Sequence, residues 1–413
     1  MDLNPSLQAN TGQNKQVISA IIQTAFPVCN PNGEDAFGKR VGSQGQISIG
    51  DGVVANGFQS IVIGYNNNPP YWNVGPNGVI SIGTNITYGG AAYAHIGSVI
   101  LGNNLTVQEP WSICIGYNAN IQPGYGNGYD ISLGYNASST NSSIAIGYNT
   151  VAASAGASTS EAIAIGYNAS VYASSGIAIG NNTIVNGLYS AIGGIAIGQT
   201  AVINTASATH AIAIGTSTTN SNANSIALGY SSSNTGSGGI AIGYSTTVSS
   251  QNGTALGALS KATLQGQVSF GNDNLIGTSS RTSILRAANS STSATPVILY
   301  LDGVTGTQRI TLQNNSVNNF FIELVGKITG ATGGLISVQI VGAISKGTTS
   351  ASVALLGTPS VTVIGADSTA TTGLWSASVL ADTTNAALQI NATGAASQTI
   401  SWFAWVELTE LIF

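Results

Sequence analysis

Between residues 47 and 271 the hydrophobic positions fall into one four-residue pattern, apolar, small, apolar, Gly, that recurs along the chain. Its clearest copies are Ile144-Ala145-Ile146-Gly147, Ile163-Ala164-Ile165-Gly166, Ile177-Ala178-Ile179-Gly180, Ile195-Ala196-Ile197-Gly198, Ile212-Ala213-Ile214-Gly215 and Ile240-Ala241-Ile242-Gly243. Looser copies end at Gly50, Gly64, Gly83, Gly102, Gly116, Gly134, Gly229, Gly257 and Gly271. Successive glycines lie 13 to 19 residues apart, and 14 is the commonest interval. Fourteen residues are too few for a helix–turn–helix unit, and branched apolar residues at every second position have the period of a strand.

Each repeat therefore predicts one coil of a β-solenoid, fifteen in all. In the first clear copy Ile144 and Ile146 face one way as an inner stripe, and Ala145 faces the other way, where its small side chain lets a second surface approach. The same inner role falls to Ile165, Ile179, Ile197, Ile214 and Ile242. The closing Gly147, with Gly166, Gly180, Gly198, Gly215 and Gly243, supplies a bend that a Cβ would obstruct. Five copies continue with Tyr-Asn, as in Tyr148-Asn149, and Asn tolerates the left-handed conformation and can stack into a hydrogen-bonded ladder. The longer intervals are coils with three to five extra residues, expected as loops on one edge. A lone coil buries two or three aliphatic side chains at roughly 1.5–3 kcal/mol each, and ordering fourteen backbones costs about 1–2 kcal/mol apiece. Stacking, and burial against further copies of the chain, must supply the difference.

The run of Ile-Ala-Ile-Gly coils over residues 46–272 resembles the YadA-like head repeat of trimeric adhesins, which is also found in bacteriophage tail-fibre proteins. The resemblance implies an all-β protein whose shaft is a left-handed parallel β-roll of three chains side by side, a homotrimer. Before it, residues 1–45 do not repeat and predict an N-terminal cap or a virion-attachment region. Beyond it, residues 273–295 predict a polar connector carrying Arg281 and Arg286. From 296 to 413, alternating runs at 309–313, 319–328, 335–344, 352–356, 361–364, 375–380, 387–391 and 399–411 predict an antiparallel β-sandwich or jelly roll. This tail is more loosely similar to terminal domains of phage tail proteins.

Charge narrows the function classes. Only 6% of residues are charged, the formal net charge is −5, and nine Lys plus Arg are scattered singly. No basic stripe exists to neutralise phosphates, so nucleic acid is not expected as a partner. Cys29 and Cys114 predict two reduced thiols. The opening residues have no signal-peptide pattern, and neither a heptad stalk nor a membrane-anchoring strand set follows the repeat. These departures place a phage fibre ahead of a surface-displayed bacterial adhesin.

Catalytic chemistry is sparse. The acids of the repeat, Asp51, Glu109, Asp130 and Glu161, lie on different coils with no pair at coil spacing, and Glu407 and Glu410 lie on opposite faces of one strand. His95 and His210 have no partners at metal-ligand spacing and read as turn residues. No cofactor is expected, and the chain is read as no enzyme. Aromatic side chains are the better clue to a ligand, because sugars and proteins both stack on rings. Insert loops carry Tyr71, Trp72, Tyr88, Tyr93, Trp111, Tyr125 and Tyr129.

The function expected is a bacteriophage tail fibre or receptor-binding protein, made in the host cytoplasm and carried on the virion. It would join other tail or baseplate proteins through its N-terminus, and meet a host-surface glycan or outer-membrane protein through residues 296–413. The alternatives are a trimeric adhesin on a bacterial surface, or a fibre spacer with no ligand. Contact is expected at turns 330–334, 346–350, 365–373 and 382–385, with Lys346, Asp367, Trp375 and Asp382 as candidates there, and Tyr71 and Trp72 as candidates in the shaft.

Overall fold

A computed structural model describes residues 47–50, 53, 59–67, 78–89, 97–123, 128–152, 161–186, 193–205, 208–271, 279–304 and 306–413. The expected N-terminal cap or attachment region, residues 1–45, lies outside the described residues. The chain divides into two units, residues 1–200 and 201–413. Together they contain a β-solenoid of about 13 turns at a fourteen-residue spacing, followed by antiparallel sheet.

In the first unit the coils from Val99 onward each contribute a long strand and a short one, and these strands pair in parallel with their equivalents in the next coil. Ile144, Ala145 and Ile146 lie beside Ile163, Ala164 and Ile165, which lie beside Ile177, Ala178 and Ile179. The short strand Val151–Ala152 pairs with Ser138–Ser139 on one side and Ser170–Val171 on the other. Coils of the second unit repeat the arrangement, from Ile212–Ile214 through Ile226–Tyr230, Ile240–Tyr244 and Thr254–Leu256 to Val268–Gly271.

The faces of the long strand are the reverse of those expected. Ala145, Ala164, Ala178, Ala196, Ala213 and Ala241 are wholly buried inside the coil, whereas the flanking isoleucines point outward and are half-buried at best. In the alanine coils the long strand packs closely on the buried short strand, as Ala241 and Ala255 face Val248 and Ala262, whereas earlier coils bury Val62 and Ile100 at the same inward position. The isoleucines then form outward columns in which each covers only its neighbours above and below.

Glycine and asparagine play the expected parts. Gly147 has φ of 133°, and a Cβ there would overlap the carbonyl of Gly166 in the next coil. Asn66, Asn85, Asn136, Asn149, Asn168 and Asn182 all adopt the left-handed conformation. Their amides bond along the stack, Asn66 Nδ2 to Asn85 Oδ1 at 3.0 Å, Asn136 Nδ2 to Asn149 Oδ1 at 2.9 Å and Asn168 Nδ2 to Asn182 Oδ1 at 3.0 Å.

After the last coil the direction changes. Val268–Gly271 pairs antiparallel with Ser279–Ser291, which pairs with Ile400–Ile412, then Ser316–Ile328, Leu335–Lys346 and Ser360–Ala366. The segment 273–295 is thus not simply a connector: thirteen of its residues form a strand within the sheet. All eight runs read from residue 309 onward contain a strand, although those at 310–311 and 354–355 are shorter than expected. A four-stranded sheet of Val297–Ile298, Ile310–Thr311, Ser376–Asp382 and Ala387–Thr393 shares the core of the larger one. At its centre Trp402, 1% exposed, covers Gly326, donates Nε1–H to Ser291 Oγ at 2.9 Å and meets Trp375 edge to face at 5.7 Å. Arg281 and Glu410, both poorly exposed, form an ion pair at the strand ends.

Candidate functional surfaces

The outward isoleucine columns are the most extensive apolar feature of the coils. Beside them runs a second column, of tyrosines, each following the bend glycine. Tyr117, Tyr135, Tyr148 and Tyr167 stack with centroids 5.4, 5.0 and 5.0 Å apart, and Tyr230 stacks on Tyr244 at 5.3 Å. Their planes are within 11° of parallel. A ring inside such a ladder has its faces covered by other tyrosines and offers a ligand only its edge and hydroxyl. Stacking of a sugar on a ring face is therefore confined to the ladder ends.

A different pair of aromatics does expose its rings. Besides the asparagine, a second residue of the coil occupies a left-handed corner, and in adjacent coils these are Trp111 (φ 55°) and Tyr129 (φ 70°), 49% and 62% exposed. Bulky residues adopt this conformation rarely. Trp111 lies over Gly97, which occupies the same corner one coil earlier and leaves room for the indole, and Tyr129 N–H donates to Pro110 O at 3.2 Å. Next to them are two acids. Asp130 is wholly buried and Glu109 nearly so, and the charge of Glu109 acts on Asp130. The two acids are twenty-one residues apart in sequence, off the coil spacing, and their interaction is electrostatic.

Asp130 belongs to an internal column in which a side-chain oxygen of one coil accepts the backbone N–H of the next. Ser98 Oγ accepts from Ser112 at 3.2 Å, Ser112 Oγ from Asp130 at 3.3 Å, Asp130 Oδ1 from Ser143 at 2.9 Å and Ser143 Oγ from Ala162 at 3.1 Å. Oδ2 of Asp130 has no hydrogen-bond partner. Burial, reinforced by Glu109, pushes its carboxyl up from 3.8 to about 6. So deep a carboxyl can store a proton, but it cannot reach a substrate on the surface.

The residues singled out in the sequence divide sharply. Tyr71, Trp72, Tyr93, Tyr125, His95 and Cys29 lie outside the described residues. Tyr88 turns into its coil, where its hydroxyl bonds Asn67 Oδ1 at 2.6 Å, and burial raises its ionisation far above the ordinary range. Cys114 replaces alanine inside a coil, reduced and buried, its thiol pushed up to about 12 by burial. His210 is an exposed corner residue.

In the C-terminal domain Trp375 is 5% exposed and belongs to the core, which corrects its reading as a contact residue. The charged candidates are held by their own turns. Lys346 Nζ donates to Leu312 O at 2.8 Å. Asp367 accepts from Ala370 N at 2.9 Å and Gly334 N at 2.6 Å, bonds that hold its carboxyl below the usual range. Asp382 pairs with Arg309 at 2.9 Å and accepts from Thr384, Asn385 N and Asn385 Nδ2, which outweigh its slight burial and lower it likewise. The turns instead expose apolar groups that the alternation did not flag, Leu374 at 80% and Leu356 at 52%. Among the described residues no three His, Cys, Asp or Glu side chains gather as metal ligands.

The geometry defines a stacked-coil protein with outward apolar columns. Residues 160–183, 206–232 and 235–260 match the family model of the YadA head domain repeat, so the shaft carries repeats of that type. No curated protein sequence matches the chain. Among solved structures, a tailspike protein, gp49, of the Acinetobacter baumannii bacteriophage Fri1, described as a capsular polysaccharide depolymerase, aligns over 86% of this chain and 69% of its own, with 7% identity and a TM-score of 0.23. The tailspike protein of Acinetobacter baumannii phage AM24 aligns over 85% of this chain and 62% of its own, with 12% identity and a TM-score of 0.18.

Proposed function

We propose that this chain is a non-enzymatic, homotrimeric fibre of a bacteriophage tail that attaches the virion to the host cell surface. The observation that carries the reading is the outward isoleucine column, present in coil after coil and left partly exposed by the described residues. Such a surface in water calls for a partner of the same period, and a cyclic assembly of identical chains supplies one without leaving an open face. The YadA-type head repeats support an adhesive fibre, in which residues 1–45 join the tail or baseplate and the C-terminal domain meets a host glycan or outer-membrane protein. Leu374 and Leu356 are better placed for that contact than the charges already held within their turns.

Sedimentation of the full chain tests the assembly: the expected mass is three times 41.4 kDa. Ile146→Asp with Ile165→Asp should lower it, and a wild-type chain that sediments as a monomer would refute the reading. Added protein should block adsorption of phage to susceptible cells. The second reading, a bacterial surface adhesin, is favoured by the same repeat match, and antibodies that decorate intact bacteria rather than virions would establish it.

A further inference from the structure

The C-terminal sheet has an inner face against the core and an outer face that a single chain leaves uncovered. In a solvated antiparallel sheet the outer face is polar. Here it carries Phe403 at 41% and Trp405 at 37% exposure, with Val325 at 48% and Val341 at 44%. The strand registers set these side by side: Phe403 opposes Val325, while Phe321, half-buried, lies between Glu407 and Val341.

The same registers join this face to the shaft. In the last coil Val268 and Phe270 continue the outward isoleucine column, since they align with Thr254 and Leu256 and through them with Ile240 and Ile242. Val268 in turn opposes Ile284, Ile284 opposes Glu407, Arg286 opposes Trp405 and Ala288 opposes Phe403. Residues opposite one another project to the same side. The outward column therefore runs without a break from the coils onto the outer face of the sheet. The charges on that face are Arg286, Lys327, Glu323 and Glu407, two of each sign, and none of them forms an ion pair among the described residues. A face that combines exposed apolar groups with charges of both signs summing to zero suits a copy of itself.

We infer that the outer face of the C-terminal sheet is an interface with further copies of this chain, so that the assembly is clamped at its C-terminal end as well as along the shaft. The inference rests on the self-association proposed above. It confines any receptor contact to the turns and the smaller sheet. Hydroxyl-radical footprinting of the full chain, read by mass spectrometry at the concentration where sedimentation gives its mass, tests it with residues of one type. In a single chain Phe403 and Phe413 are 41% and 68% exposed, and labelling should differ by about twofold if exposure alone decides it.

In the assembly Phe403 should be labelled at least tenfold less than Phe413, and Val325→Glu should restore its labelling. A trimer in which Phe403 is labelled within about twofold of Phe413 would overturn the C-terminal interface and leave shaft association standing. Protection that survives Val325→Glu unchanged would overturn it as well. A monomeric wild type would remove both proposals.

Discussion

The alanine coils and the C-terminal sheet are both made of strands, yet they place their large side chains on opposite sides. The alanine coils bury small residues and valine and turn the isoleucines of the repeat and their tyrosines outward, with larger buried groups such as Ile100, Leu105 and Ile121 gathered in the earlier coils, whereas the C-terminal domain gathers Trp402, Phe320, Ile322, Leu324 and Ile340 into one thick core. The coils are held by ladders between neighbours, through backbone pairing, asparagine amides and stacked rings, so their stability is a sum of nearest-neighbour contacts. The sheet is held by residues far apart in sequence, such as Ser291 and Trp402. The same strand alternation thus makes two kinds of β-structure, one held by neighbouring coils and one by a shared core.

Substitutions can break or sharpen this contrast. The largest effect is expected from Gly147→Val, which combines positive φ with overlap against the Gly166 carbonyl. A loss of more than about 4 kcal/mol is expected, with coils around residue 147 opening while the C-terminal domain stays folded. Proteolysis followed by mass spectrometry would locate the opening, and a variant as resistant as wild type would contradict the packed-glycine account. Trp402→Ala should do the opposite. About 3–5 kcal/mol should be lost in the C-terminal domain alone, and calorimetry should show its transition falling apart from that of the coils.

Buried Glu410 makes the sheet sensitive to pH in the same direction as the coils, where the group is Asp130. The Asp130 carboxyl is raised in the folded chain from 3.8 to about 6, so within that window the folded protein keeps a proton that the unfolded chain has released. The associated stability is complete below about pH 4 and is lost as pH rises through 6, an effect on the order of 3 kcal/mol. Asp130→Asn should abolish this dependence in melting curves of the coils between pH 4 and 7 and should raise their transition at pH 7. The smallest effect is expected for Tyr148→Ala, which interrupts the ring ladder at its middle and should cost about 1 kcal/mol in the same measurement. A loss as large as that of Gly147→Val would mean that the rings, not the backbone, hold the stack.

The period, strand positions, bend glycines and asparagine ladder were all readable in the sequence, because each depends on residues close together in one coil. The direction of the faces was not. Alternation separates Ile146 from Ala145 but leaves open which of them points inward, and the distance between the long and short strands decides it. The electrostatic effect of Glu109 on Asp130 was hidden because their separation of twenty-one residues matches no coil spacing. The strand at 279–291 was concealed by its serines and arginines, since only Leu285 and Ala287 are apolar and face the core. Trp375 follows the turn at 365–373 and is a contact candidate by position alone, and only packing against Trp402 reveals its place in the core. The charged turn residues were visible as candidates, but whether a carboxylate is free or already bonded to its own turn depends on backbone geometry that composition does not carry.

The antiparallel strand that follows the last coil has a consequence for chemical safety. A parallel, in-register pile of near-identical segments, with stacked amides and stacked rings, has the same construction as an amyloid protofilament, and its terminal strand is a growth front for any segment of like sequence. With Ser279–Ser291 running in the reverse sense along Val268–Gly271, the next place in the pile is already occupied, by a strand without the repeat. Elongation at that end therefore stops within the molecule itself.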